Sequence, residues 1–283
     1  MMDLKPTGGQ RQTRYGVCNW IFGDEDLATT AAVLAELGFD GVELKGDLEL
    51  YHPAEVNAVL SDHGLAVLSL TPDNVDLAHP DAQVRAEALD YYLRLLDFAA
   101  AVGAPVVSCH GAVGRVRPLG DYAEEYRQFL LGVQRLAVRA AELHLRLAME
   151  VLNRYESHLL NTAVQAVEFV RQVHAPNVGV LLDAYHMNIE EADPAAAILD
   201  TGERLTLFHA ADSNRQAVGR GHTDFVALMR ALSRAGYAGD VVIECTAAGP
   251  DPFTPVKGEG WRDQVRRYAA ESLRLLRTYQ DLT

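Results

Sequence analysis

Eight short apolar runs alternate with eight helix-like stretches along this chain, and few folds accommodate that rhythm. The runs lie near residues 14–18, 40–44, 65–70, 104–109, 146–150, 178–182, 204–209 and 240–244. A strand, a helix and the next parallel strand need roughly 30 residues or more, which these intervals supply. The stretches between them carry helical apolar spacing, as at Leu130, Val133, Leu136, Ala137 and Ala140. Gly38, Gly64, Gly103 and Gly236 fall where helix C-caps belong. The Ala-rich stretches 99–101 and 195–197 fit helix packing. Regular strand–helix alternation with no long linker predicts an α/β protein, a single (β/α)8 TIM barrel over residues 14–283. Residues 1–13 are polar, include Gly8 and Gly9, and are expected to form a flexible leader.

Charge and cysteine content narrow the function. With 25 Lys and Arg against 39 Asp and Glu, the formal net charge of −14 repels nucleic acid and anionic membranes, so a small neutral substrate fits better. No apolar run approaches the roughly 20 residues that span a bilayer. Cys18, Cys109 and Cys245 lie in or beside strand-like runs, as buried reduced thiols do, and a cytoplasmic location is expected.

In TIM-barrel enzymes the active site lies at the C-terminal face of the strands. The residues at those positions are Asn19, Glu43, Thr71, His110, Glu150, Asp183, His209 and Glu244. Acids and histidines dominate this set, where plain turns would carry Gly, Asn and Ser. Glu150, Asp183, His209 and Glu244 end four successive strand-like runs at intervals of 33, 26 and 35 residues. Barrel closure would gather them at one rim, although they are far apart in sequence. Three carboxylates and one imidazole suit a fairly hard divalent cation. The bland alternative for either glutamate alone is a salt bridge to a loop arginine; burial without a partner or a metal would be costly.

Other rim candidates are less specific. His186 follows Asp183 by three residues, and a lone histidine is more often a structural hydrogen bonder. Arg215, six residues after His209, could be a surface ion pair in an acidic protein. His110, in Ser-Cys-His-Gly, is a possible substrate contact, extra metal ligand or loop cap. His222 and Trp261 carry weaker signals. No Gly-x-Ser-x-Gly elbow and no Cys-x-x-Cys occurs.

From Glu-Val-Leu-Asn-Arg-Tyr-Glu-Ser-His-Leu-Leu-Asn-Thr at 150–162, through Leu-Leu-Asp-Ala-Tyr-His-Met-Asn-Ile-Glu-Glu at 181–191, His209-x-x-Asp212-x-Asn214-Arg215 and Val-Ile-Glu ending at Glu244, the chain resembles the ketose 3-epimerases. The group is that of D-tagatose and D-psicose 3-epimerase, within the xylose isomerase-like TIM barrels. The resemblance implies that Glu150, Asp183, His209 and Glu244 hold one divalent ion per subunit, Mn²⁺ first and Mg²⁺ or Co²⁺ as alternatives. It implies Glu156, His186 and Arg215 as substrate contacts, a free ketose as substrate, and a homodimer or homotetramer. Glu150 and Glu244 would be the acid/base pair: one removes the C3 proton, the other returns a proton to the opposite face, through a cis-enediolate. The resemblance also implies an aromatic wall after the fourth strand and just after the last glutamate. Those places hold Ala112-Val113 and Cys245-Thr246 here, so the distal sugar pocket is expected to be shaped differently.

Two other chemistries share this barrel. An aldose–ketose or hydroxypyruvate-type isomerase would use the same metal set. An apurinic-site endonuclease would need additional histidines around several zinc ions; the third strand ends Leu-Ser-Leu-Thr-Pro without one, and the net charge opposes DNA.

Overall fold

The computed structural model describes residues 13–251 and 253–282. The expected leader, residues 1–13, lies outside the described residues except for its last position. Eight parallel strands close in sequence order: β1 (Tyr15–Cys18), β2 (Gly41–Lys45), β3 (Ala66–Thr71), β4 (Val106–Cys109), β5 (Arg146–Glu150), β6 (Val178–Asp183), β7 (Leu205–Ala210) and β8 (Val241–Ile243). β8 pairs back onto β1, with Tyr15 opposite Val241 and Val17 opposite Ile243. The strands are buried nearly throughout, as all-parallel strands covered by helices must be.

Among the described residues nine α-helices pack outside: α1 (Leu27–Leu37), α2 (Pro53–Asp62), α3 (Ala82–Val102), α4 (Tyr122–Glu142), α5 (Ala163–Val173), α6 (Ala184–Glu190), α7 (Pro194–Thr201), α8 (Phe225–Arg234) and α9 (Trp261–Gln280). The count corrects the eight expected from sequence. The β6–β7 connection is split because Asp183 caps α6 while Asp193 caps α7, whose first residue is Pro194. A proline is tolerated at the first turn of a helix but not inside a continuous one. Gly38 and Gly103 cap α1 and α3 in the left-handed conformation, and Gly64 and Gly236 take it one residue beyond the caps of α2 and α8.

The lower part of the barrel is plugged. A Cβ built on Gly41 would stand 2.2 Å from the Ala66 carbonyl oxygen and 2.8 Å from Leu68, and one on Gly16 would stand 2.6 Å from Leu68. Leu68, fully buried, occupies the room that those two glycines leave. At the opposite end of the strands from the candidate site, Arg14 bonds the Asp240 carboxylate through Nε at 2.9 Å and Nη2 at 2.7 Å. What the upper rim holds is therefore a cup with a floor. The three cysteines are free and buried, as expected. No helix among the described residues is long and apolar enough to cross a membrane.

Candidate active site and metal centre

Four successive strands end in the four residues singled out above. Glu150 is the last residue of β5, Asp183 the last of β6, His209 lies in β7, and Glu244 follows β8 directly. The Glu244 backbone N–H donates to the Ala210 carbonyl at 3.2 Å, which extends the β7–β8 ladder by one rung. His209 Nδ1 lies 3.4 Å from Glu244 Oε2 and 4.0 Å from Glu150 Oε1. One potential ligand atom from each of these three residues falls within 4.8 Å of the others, and all three side chains are buried. Asp183 stands beside this trio. Its Oδ1 accepts from the Tyr185 backbone N–H at 2.9 Å, while Oδ2 lies 3.6 Å from His186 Nε2.

The polar atoms left without partners test whether a cation fits. Asp183 Oδ2, His209 Nδ1 and Glu244 Oε2 are buried and make no hydrogen bond. Orphaned buried polar atoms are rare, and three on neighbouring strand ends, two of them carboxylate oxygens, are what a divalent cation would satisfy.

Glu43, at the rim of β2, orients the histidine. Its Oε2 lies 3.2 Å from His209 Nε2 and accepts from Ser69 Oγ at 2.6 Å, and the side chain is fully buried. With a carboxylate on Nε2, the Nδ1 lone pair is the one that faces Glu150 and Glu244, which is the usual carboxylate–histidine arrangement at metal sites. Sequence reading placed Glu43 at the rim and gave it no role.

Electrostatics separates the two glutamates. Burial pushes the Glu150 carboxyl well above the usual range, relieved by His209 and reinforced by the nearby Glu244, Glu43 and Asp183 carboxylates. Burial also raises Glu244, but Arg215 and His209 outweigh it and hold that carboxyl below the usual range. Burial and the Glu244 carboxylate raise Asp183 to about 8. His209 is raised, since Glu43 and Glu244 overcome the opposing effect of burial.

Arg215 and Trp20 account for the other side of Glu244. Its Oε1 accepts from Trp20 Nε1 at 3.1 Å and from Arg215 Nη2 at 3.2 Å, leaving Oε2 to face His209. The Arg215 guanidinium lies 4.9 Å from the Tyr185 ring centre and 5.7 Å from that of Trp20. Trp20 sits in a short turn, Asn19–Phe22, directly after β1. Sequence reading missed it; its only signal was an aromatic one residue beyond a strand-end rim position. Arg215 has a φ of 57°, an uncommon left-handed conformation for a non-glycine residue. Asp212 holds that turn. Its carbonyl accepts the Arg215 N–H at 2.7 Å, and its carboxylate accepts from Ser213, Gly219 and Thr223 at 2.7, 2.8 and 3.1 Å.

The remaining candidates divide. Glu156 Oε1 lies 3.6 Å from Arg215 Nη1 and accepts from Asn153 Nδ2 at 3.0 Å. The Asn153 backbone N–H and Nδ2 reach His186 Nδ1 at 3.2 and 2.8 Å, which makes Nδ1 the acceptor and puts the ring proton on Nε2. Burial and Arg215 lower His186 to about 3, so the ring is neutral near pH 7. His110 Nδ1 pairs with the Gly111 carbonyl at 2.7 Å, leaving Nε2 as an acceptor. Glu150, Glu156, His186, Arg215, Glu244 and His110 all line one cavity of about 660 Å³. His222 is not among that cavity's lining and pairs with Ser213 Oγ at 3.1 Å. Trp261 is buried at the start of α9, against Gly23. Where the resemblance led one to expect aromatic residues after β4 and β8, Val113 lines the cavity and Cys245 and Thr246 are buried; the aromatic lining comes instead from Trp20, Tyr51 and Phe253.

The family model described as "Xylose isomerase-like TIM barrel" matches residues 31–279. The chain belongs to that family, within its ketose 3-epimerase group. It is 34% identical over 229 residues to a ketose 3-epimerase of Arthrobacter globiformis, covering 79% of this chain and 78% of the relative. A 3-dehydro-D-guloside 4-epimerase of Escherichia coli is 30% identical over 265 residues, 89% of this chain and 97% of the relative. Among solved structures, a D-psicose 3-epimerase with D-tagatose from Clostridium cellulolyticum superposes with a TM-score of 0.86 at 26% identity, covering 95% of this chain and 99% of that one. The protein is accordingly an isomerase of the carbohydrate epimerase kind.

Proposed function

We propose that this protein epimerises a free ketose at C3, with Glu150, Asp183, His209 and Glu244 holding one divalent cation, Mn²⁺ first among Mn²⁺, Mg²⁺ and Co²⁺. The observation that carries the reading is the pair of buried carboxylates, Glu150 and Glu244, which both line one cavity and both lie within 4.0 Å of His209 Nδ1. The ketose epimerase names of the relatives support it.

Inverting a carbon beside a ketone needs a base on one face and an acid on the other. A bound cation would supply Lewis-acid stabilisation of the enediolate oxygens. Every other part belongs to the chain. One glutamate removes the C3 proton and the other returns a proton to the opposite face. Trp20 and Arg215 tie down one oxygen of Glu244, so its other oxygen has a fixed direction. The neutral His186 offers its Nε2 proton, and Glu156 its carboxylate, to hydroxyls at the carbonyl end of the sugar. Arg215 orients the oxygens beside Glu244.

Proton NMR of the Mn²⁺-loaded enzyme in D₂O with fructose, tagatose, ribulose and xylulose tests this. Deuterium entering at C3 together with a C3-inverted ketose is the expected result. Exchange at C1 with an aldose would move the protein to the aldose–ketose isomerases. No exchange with any sugar would overturn the reading.

A further inference from the structure

The cavity continues outward past every group that the proposed reaction uses. Leu50, in the loop between β2 and α2, is 63% exposed, and Phe253, in the loop between β8 and α9, is 57% exposed; both line this cavity. Their loops flank the one that carries Trp20, since β1 lies between β8 and β2 in the barrel. Single exposed apolar side chains are ordinary. Two of them that line the same cavity as Trp20, on the loops to either side of it, make an apolar lip, and such a lip bounded by polar groups marks a binding surface.

The charged groups beside the lip carry more carboxylates than cations. Lys45 Nζ lies 3.3 Å from Asp73 Oδ1 and 4.0 Å from Asp47 Oδ2, and Asp24 is bonded by Arg262. The other cation lining the cavity, Arg215, is engaged by Glu244 and Glu156. Each of the two lysine and arginine side chains lining the cavity thus has carboxylate partners already, so neither stands ready for a phosphate. Size points the same way: about 660 Å³ lies mid-way in the range of about 300–1,000 Å³ that encloses drug-sized ligands, larger than one monosaccharide. With Leu68 closing the barrel below, anything attached to the sugar must leave by the mouth.

We infer that this outer lip is a subsite for an uncharged extension of the ketose: a second sugar ring joined at the end remote from the carbonyl. The inference rests on the ketose reading above. A sugar ring offers an apolar C–H face to Trp20, Leu50 and Phe253, and its hydroxyls can donate to the Asp47 and Asp73 carboxylates. The reaction at C3 is unchanged, and the extension adds binding energy away from the reacting carbon.

The test compares kcat/KM for fructose, for fructose carrying glucose on O6, and for fructose 6-phosphate, with C3 deuterium exchange followed for each. The glucosyl compound should exceed fructose by about tenfold or more, with the phosphate ester the poorest. In the Leu50→Ser/Phe253→Ser double variant the ratio of glucosyl compound to fructose should fall to near one. A merely structural lesion would lower both substrates together and leave the ratio standing, which overturns the subsite. So does free fructose turned over as well as its glucosyl derivative, or a preference for the phosphate ester. Exchange on fructose without any on the glucosyl compound removes the subsite and leaves the epimerase reading intact, whereas no exchange on any ketose removes both.

Discussion

The two halves of the barrel do different work. From β5 to β8, every strand ends in a group with chemistry to offer: Glu150, Asp183, His209 and Glu244. From β1 to β4 the strand ends supply walls and support: Asn19 bonds Tyr51 Oη and the Lys45 backbone, Thr71 lines the cavity, and His110 presents one acceptor nitrogen. Glu43 is the exception, reaching across from β2 to hold a β7 histidine. The proposed reacting groups thus come from one half of the barrel, whereas the walls of the cavity come from both: Glu156, His186, Arg215 and Phe253 follow β5 to β8, and Trp20, Leu50 and Tyr51 follow β1 and β2.

The strongest way to break that division is at the acid/base pair. Glu150→Gln should keep the fold by circular dichroism and lose turnover by about 10²–10⁴-fold. Activity near wild type would remove Glu150 from the acid/base pair. Glu43→Ala crosses the boundary: it leaves all four proposed ligands in place yet should weaken Mn²⁺ binding by about 10–100-fold in calorimetry. Unchanged affinity would mean that His209 keeps its orientation without Glu43. Arg215→Ala should raise KM by about tenfold or more, since in the proposed reading its guanidinium orients substrate oxygens, with a smaller effect on kcat. An effect confined to kcat would place Arg215 with the reacting groups instead.

The smallest expected effect sharpens the comparison through pH. A carboxyl raised in the folded state, as Asp183 is to about 8, binds a proton that the unfolded chain has lost, so folding stability declines as pH rises toward 8. His186, lowered to about 3 from 6.5, acts oppositely and only below pH 6.5. Between about 6.5 and 8, then, the melting temperature of the metal-free protein should fall by a few degrees. Added Mn²⁺ should restore it most at the upper end, because cation binding displaces the protons. Glu150 and His209, also raised in the folded protein, act in the same direction, so a flat profile without metal would argue that none of the three holds its proton through this range.

The barrel was legible because a period of strand and helix survives in apolar spacing alone, and the rim positions of four candidate residues were legible because charged groups are out of place at the end of apolar strands. What stayed hidden depends on three-dimensional approach. Glu43 looks in sequence like any strand-end acid; only barrel closure brings β2 across to β7. Trp20 reads as one more apolar residue in Asn19–Phe22 until its indole N–H meets Glu244. The break between α6 and α7 was written in Asp193-Pro194, but the expectation of one helix per strand overrode that punctuation. Arg215's left-handed backbone has no sequence signature at all, since arginine is not a residue that favours it.

Leu68, seated over Gly16 and Gly41, also decides how molecules travel. A barrel stoppered from below has one doorway, shared by arriving and departing sugars. The product that leaves and the substrate that arrives must take turns at it. A product left to accumulate would therefore occupy the entrance and slow its own formation.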